Sequence, residues 1–88
     1  MSWKIEIKPN AEKQYHKLDK KTKQRIKNAL IRLEQKENPF LNHDVRPLTA
    51  ELRGDYRLRV GSWRILFTPD RKEKVISVYI ILPRGDAY

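Results

Sequence analysis

The spacing of apolar positions changes along the chain, and each change marks an element. Trp3-Lys4-Ile5-Glu6-Ile7-Lys8 alternates apolar and polar residues, the period of a strand with one buried face, and Pro9 stops it. Ala11, Tyr15 and Leu18 then recur at i, i+4 and i+7, one stripe of a short helix. Asn10 is the expected N-cap, with Glu12 in the first turn, where a negative charge suits the helix dipole. Asp19 reads as a second N-cap. Ile26, Ala29, Leu30 and Leu33 form the apolar stripe of a helix expected over residues 20–37, and Asn38-Pro39 ends it. Two helices joined so tightly form an αα-hairpin.

Over residues 40–53 the periodicity fades and no element is assigned; Leu52 is expected to anchor this connector in the core. Residues 56–67 then read as a β-hairpin. Two runs rich in β-branched, aromatic and long apolar residues flank Gly61-Ser62, and Gly at the first central position fits a type II′ turn. That turn fixes the register: Val60 faces Trp63, Arg59 faces Arg64, Leu58 faces Ile65 and Tyr56 faces Phe67. By alternation these apolar residues share one face, and Arg57, Arg59 and Arg64 share the other. Residues 68–73 hold Pro69 and Asp70 and form a second turn. Residues 74–82 are apolar at nearly every position, as in a central strand covered on both faces. Pro83 ends it, and Arg84-Gly85-Asp86-Ala87-Tyr88 forms a tail that could fold back over the hairpin. The order is β-α-α-β-β-β. It predicts an α+β fold, one small domain over residues 1–88, with a twisted, mainly antiparallel sheet and the αα-hairpin packed on one face. The helices should cover Leu58, Val60, Trp63 and Ile65, leaving the arginine face open as a concave basic surface.

Charge sharpens this picture. The 88 residues carry 20 Lys and Arg against 11 Asp and Glu, a net charge of +9, which favours an anionic partner. The helical hairpin contributes a basic surface through Lys20, Lys21 and Arg25, a solvated face or a docking surface for a polyanion. In the hairpin, Arg59 and Arg64 are direct cross-strand neighbours, an arrangement that costs roughly 0.2–1 kcal/mol for like charges. Three guanidiniums gathered there suit an anion, because the planar fork of Arg matches phosphate in a bidentate way.

The residue inventory excludes several chemistries. There is no cysteine for a disulfide or thiolate site, and the two histidines lack metal-ligand spacing. The acids are scattered, the glycines sit at turns, and the serines have no evident His partner. No metal and no cofactor is expected. No apolar run approaches the roughly 18 residues of a membrane span, and the N-terminus lacks a signal-peptide core, so the cytoplasm is the expected location.

RNA cleavage without a metal stays open, since RNA brings its own nucleophile in the 2′-OH. The protein must orient the strand, stabilise charge on the phosphorane and move protons. Arginines serve the first two. They serve the third poorly, since guanidinium holds its proton too tightly to act as a base. Tyr88 and Arg84 in the tail are candidates to complete such a site. His16 falls on a polar helix face, and His43 in the connector could approach the site.

At this point the residues resemble a known family. Leu52-Arg53-Gly54-Asp55-Tyr56-Arg57-Leu58-Arg59-Val60-Gly61-Ser62-Trp63-Arg64-Ile65-Leu66-Phe67 resembles the central motif of the RelE/ParE toxin superfamily. Pro83-Arg84-Gly85-Asp86-Ala87-Tyr88 resembles the tail of archaeal RelE-type members. The resemblance implies the toxin of a type II toxin–antitoxin system. Its activity would be that of a metal-independent, ribosome-dependent endoribonuclease, an mRNA interferase cutting mRNA in the A site of the 30S subunit. It also implies a cognate RelB-like antitoxin, with operator DNA bound only through the complex. Arg64 and Arg84 match the phosphate-stabilising arginines, and Tyr88 the tyrosine linked to proton transfer and base stacking. Arg57 and Arg59 fall where well-known bacterial members carry lysines, which moves more of the proton transfer onto Tyr88. Two other readings stand beside this one: a ParE-like inhibitor of DNA gyrase, and a non-catalytic basic module that binds RNA or the ribosome.

Overall fold

The computed structural model describes residues 3–49 and 52–83. Five strands form one sheet: β1 (Lys4–Ile7), β2 (Val45–Pro47), β3 (Tyr56–Val60), β4 (Trp63–Asp70) and β5 (Val75–Pro83). Two helices, α1 (Pro9–His16) and α2 (Lys20–Glu34), precede a 3₁₀ turn at Pro39–Leu41. The strand order is β1-β5-β4-β3-β2. Every neighbouring pair is antiparallel except β1–β5, which is parallel.

The hairpin has the register its turn dictates, with Val60 opposite Trp63, Arg59 opposite Arg64, Leu58 opposite Ile65 and Tyr56 opposite Phe67. Gly61 has φ 59° and Ser62 is not left-handed, the type II′ combination. The helical hairpin lies on the apolar face. Ile26, Ala29, Leu30 and Leu33 of α2 and Ala11 of α1 are buried with Leu58, Ile65, Phe67, Ile76, Val78 and Ile81 of the sheet. Each fully buried aliphatic or Phe side chain there contributes about 1.5–3 kcal/mol. Trp3 meets Phe40 edge-on at 5.3 Å, Phe40 meets Tyr56 at 4.8 Å, and Tyr56 stacks on Phe67 at 5.9 Å. Arg71 covers the middle of this aromatic row, 4.1 Å over the Phe40 ring.

The turn expected over residues 68–73 begins later, because β4 stays paired with β5 through Asp70. Four further expectations are corrected. The connector holds an edge strand, β2, with Val45 opposite Leu58 and Arg46 opposite Arg57. Pro47 is tolerated because an edge strand has no second neighbour to receive a donor. Leu52 does not reach the main core. It is half-buried, and Val45 is the connector residue that joins the core. Helix α2 ends at Glu34, short of residue 37, because no apolar residue after Leu33 ties a further turn to the sheet. Asn38 instead caps the 3₁₀ turn, its Oδ1 accepting from the Phe40 N–H at 3.1 Å.

The fourth correction is Asn10. Helix α1 begins at Pro9, with Lys8 at the cap position and no side-chain cap. Proline's fixed φ starts the helix unaided. Asn10 serves β5 instead. Beyond Val78, β5 has outrun β1, and its outward-facing backbone groups need partners. Two side chains one turn apart on α1 supply them: Asn10 Nδ2 donates to the Tyr79 carbonyl at 3.1 Å, and Gln14 Oε1 accepts from the Ile81 N–H at 2.7 Å. Asp19 does cap α2, accepting from the Thr22 N–H at 3.1 Å. The Thr22 hydroxyl and N–H hold its carboxyl below the usual carboxylate range.

Candidate nucleic-acid interface

The β3–β4 turn gathers the arginines. Strand alternation puts Arg57, Arg59 and Arg64 on the sheet face away from the helices, and together with Gly61, Ser62 and Trp63 they line a cavity of about 340 Å³. Trp63 packs against the core on one side and lines this cavity on the other. The face is not bare. Leu66, opposite Arg57, is 1% exposed and gives the arginines an apolar neighbour in the sheet.

A carboxylate offsets part of the repulsion between the guanidiniums. Arg59 Nη2 donates to Asp44 Oδ1 at 3.0 Å, and the Arg59 N–H donates to the Asp44 carbonyl at 2.9 Å. Arg59 is thus held at the sheet edge by the residue that enters β2. His43 Nε2 lies 3.7 Å from the same carboxylate, so His43 does approach the arginine cluster, with a largely exposed ring. His16 pairs loosely with Glu12 on the exposed face of α1.

A second cavity, about 300 Å³, opens on the α2 side of the same turn. Arg25, Asn28 and Arg32 line it from the helix, Asn42 and Asp44 from the connector, and Arg59 and Gly61 from the hairpin. The Arg25 guanidinium lies so close over the turn that a Cβ at Gly61 would come within 2.6 Å of its Nη2. Lys20 and Lys21 are exposed in the first turn of α2 and line neither cavity. Arg84 and Tyr88 lie outside the described residues.

The other end of the open face has the opposite character. Lys8, Leu52, Asp55, Thr68, Asp70, Ser77 and Tyr79 line a cavity of about 530 Å³ there. The β4–β5 register slips at Leu66/Phe67, which leaves Tyr79 as the extra residue on β5. Its hydroxyl donates to Asp55 Oδ2 at 2.9 Å. Burial, then the Asp55 hydrogen bond and charge, push this phenol above its ordinary range. Tyr15 donates to the Lys23 carbonyl, and the Tyr56 oxygen accepts from Arg71. All three described tyrosines are therefore committed away from the arginine cavity. The described site presents guanidiniums of the kind that suit a phosphodiester.

Sequence reading missed Arg32, Asn42 and Asp44. Arg32 could have been found, because Arg25, Asn28 and Arg32 fall at i, i+3 and i+7 on one helical stripe. Asn42 and Asp44 carry no local signal, since their places depend on how the connector pairs with β3.

Comparison with known proteins places this geometry. The model of the ParE toxin of type II toxin–antitoxin systems matches residues 5–88. A chain of the archaeal RelE–RelB complex from Pyrococcus horikoshii OT3 is 29% identical, covers 99% of this chain and 100% of its own, and superposes with a TM-score of 0.79. The intact E. coli RelBE complex contains a chain 16% identical, with coverage of 98% and 100% and a TM-score of 0.73. The YoeB dimer from Staphylococcus aureus gives 22%, 99%, 100% and 0.71. At these lower identities the last two show the shared fold. No curated protein sequence matches significantly. With the family model spanning nearly the whole length and the arginine hairpin at its centre, the chain belongs to the ParE toxin family of type II toxin–antitoxin systems, within the RelE/ParE superfamily.

Proposed function

We propose that this toxin is a metal-independent endoribonuclease that cuts mRNA in the ribosomal A site. The observation that carries the reading is the cavity in which Arg57, Arg59 and Arg64 converge at the hairpin tip. In this scheme the ribose 2′-OH attacks the adjacent phosphorus, the P–O5′ bond breaks, and a 2′,3′-cyclic phosphate and a 5′-OH result. One proton leaves the 2′-OH and one reaches the departing 5′-oxygen. Arg57 and Arg59 orient the phosphate. Arg64 and Arg84 stabilise the charge that grows on its non-bridging oxygens. Tyr88 carries the proton transfer. The 29% identity to the Pyrococcus complex chain supports this reading over the whole fold.

The same likeness supports a RelB-like antitoxin as partner, of acidic or amphipathic character, which buries the arginine face and restrains the toxin in the cytoplasm. Lys20, Lys21 and Arg25 add basic surface toward RNA. A second reading draws on the matching family model, which is that of ParE: inhibition of DNA gyrase without RNA cleavage.

The test is cleavage of mRNA on programmed ribosomes by purified toxin, run beside a gyrase supercoiling assay. A-site cuts should fall by roughly 10²–10³ in Arg64→Ala, as when one preorganised anion-stabilising donor is removed, and should weaken in Tyr88→Phe. Intact mRNA together with blocked supercoiling would establish the gyrase reading instead.

A further inference from the structure

We propose that the cavity between α2 and the hairpin tip is a second phosphate subsite, taking the phosphate next to the scissile one on the same RNA strand. The proposal rests on reading the Arg57/Arg59/Arg64 cavity as the first phosphate site. The two cavities share Arg59 and Gly61, so they are neighbours around one turn. A strand leaving the first meets the second around that turn.

The second cavity is built for an anion. Three guanidiniums, Arg25, Arg32 and Arg59, face a single carboxylate, Asp44, and Asn28 and Asn42 add amide groups. Arg25 and Arg32 make no ion pair among the described residues. Gly61 allows the approach of Arg25, because any side chain at that position would press on its guanidinium. Asp44 acts as an internal competitor. It occupies Arg59 at 3.0 Å, so an arriving phosphate must share or displace it.

The experiment uses the full-length toxin and short RNA oligonucleotides made uncleavable by a 2′-deoxy sugar at the nucleophile position. Affinity is measured by fluorescence anisotropy across a salt series, for oligonucleotides with one and with two phosphates. Wild type should gain from the second phosphate. Arg25→Ala/Arg32→Ala should lose that gain, roughly tenfold, with a salt slope reduced by about 0.7 for the lost contact. Arg64→Ala should weaken both lengths alike. Asp44→Asn keeps an acceptor for Arg59 but removes the charge, and should tighten only the longer oligonucleotide, by roughly threefold. Both helix arginines are exposed, and an unchanged urea midpoint confirms that the variants fold.

Equal binding of both lengths by wild type and the double variant overturns the proposal. So does a loss confined to empty 30S subunits with oligonucleotide affinity unchanged, which would assign the cavity to ribosomal RNA. A length dependence that follows Arg25 and Arg32 in a toxin that cuts no mRNA would retain the subsite and refute the nuclease.

Discussion

Gly61→Ala separates what the turn needs from what the cavity needs. Gly61 sits at φ 59°, where an L-residue brings Cβ against backbone, at a cost of about 1–2 kcal/mol. The new Cβ would also lie 2.6 Å from Arg25 Nη2. That neighbour is the far end of an exposed side chain with no ion pair among the described residues, so it can swing away at little cost in stability. The strain should therefore appear almost entirely in folding, as a fall in Tm of roughly 4–16 °C for a domain of this size. The displacement of Arg25 should appear in binding. A double-mutant cycle with Arg25→Ala in urea distinguishes the two. The Gly61→Ala cost should be nearly the same in both backgrounds, with a coupling below about 0.5 kcal/mol. Its effect on affinity for a two-phosphate oligonucleotide should vanish once Arg25 is gone. The reasoning fails if Gly61→Ala unfolds at the wild-type urea midpoint, since the turn would then impose no strain. A coupling energy as large as the single-mutant cost would refute the division of roles, because Arg25 would then be part of the turn's stability.

Gln14→Ala should strand the part-buried Ile81 N–H and cost about 1–2 kcal/mol in urea unfolding, with faster amide exchange at Ile81; Lys13→Ala, on the exposed side of the same helix, is the control. The Tyr79 phenol is raised above its ordinary value of 10.0, so the unfolded chain loses this proton first as pH rises. The stability it contributes is complete below pH 10 and should fall as pH climbs above it, and Tyr79→Phe should flatten that part of the pH profile.

Local patterns were legible wherever the deciding contacts are local. The hairpin register follows from Gly61-Ser62 and a period of two, and Asp19 caps its helix through a residue three positions on. The apolar stripe of α2 could be read for the same reason. What sequence reading missed depends on distant demands. Asn10 looks like a cap, but the Tyr79 carbonyl claims it, and Pro9 starts the helix without help. Strand β2 is three residues long and contains a proline, too short for alternation to show; it exists because β3 offers an edge. At the candidate site, alternation alone groups Arg57, Arg59 and Arg64. The Asp44 partner and the position of Arg25 over the turn required the tertiary fold.

The placement of β5 has a consequence for synthesis of the toxin. Last in sequence among the five strands, it lies between β1 and β4 and joins the N-terminal strand to the hairpin. Until it is made, β1 has no partner, and α1 has no strand to receive Asn10 and Gln14. A nascent chain halted before Val75 can form helices and a hairpin, but it cannot close the sheet. The folding of this domain therefore waits for Val75–Pro83, and β1 stays unpaired in the sheet while the helices and the hairpin are being made.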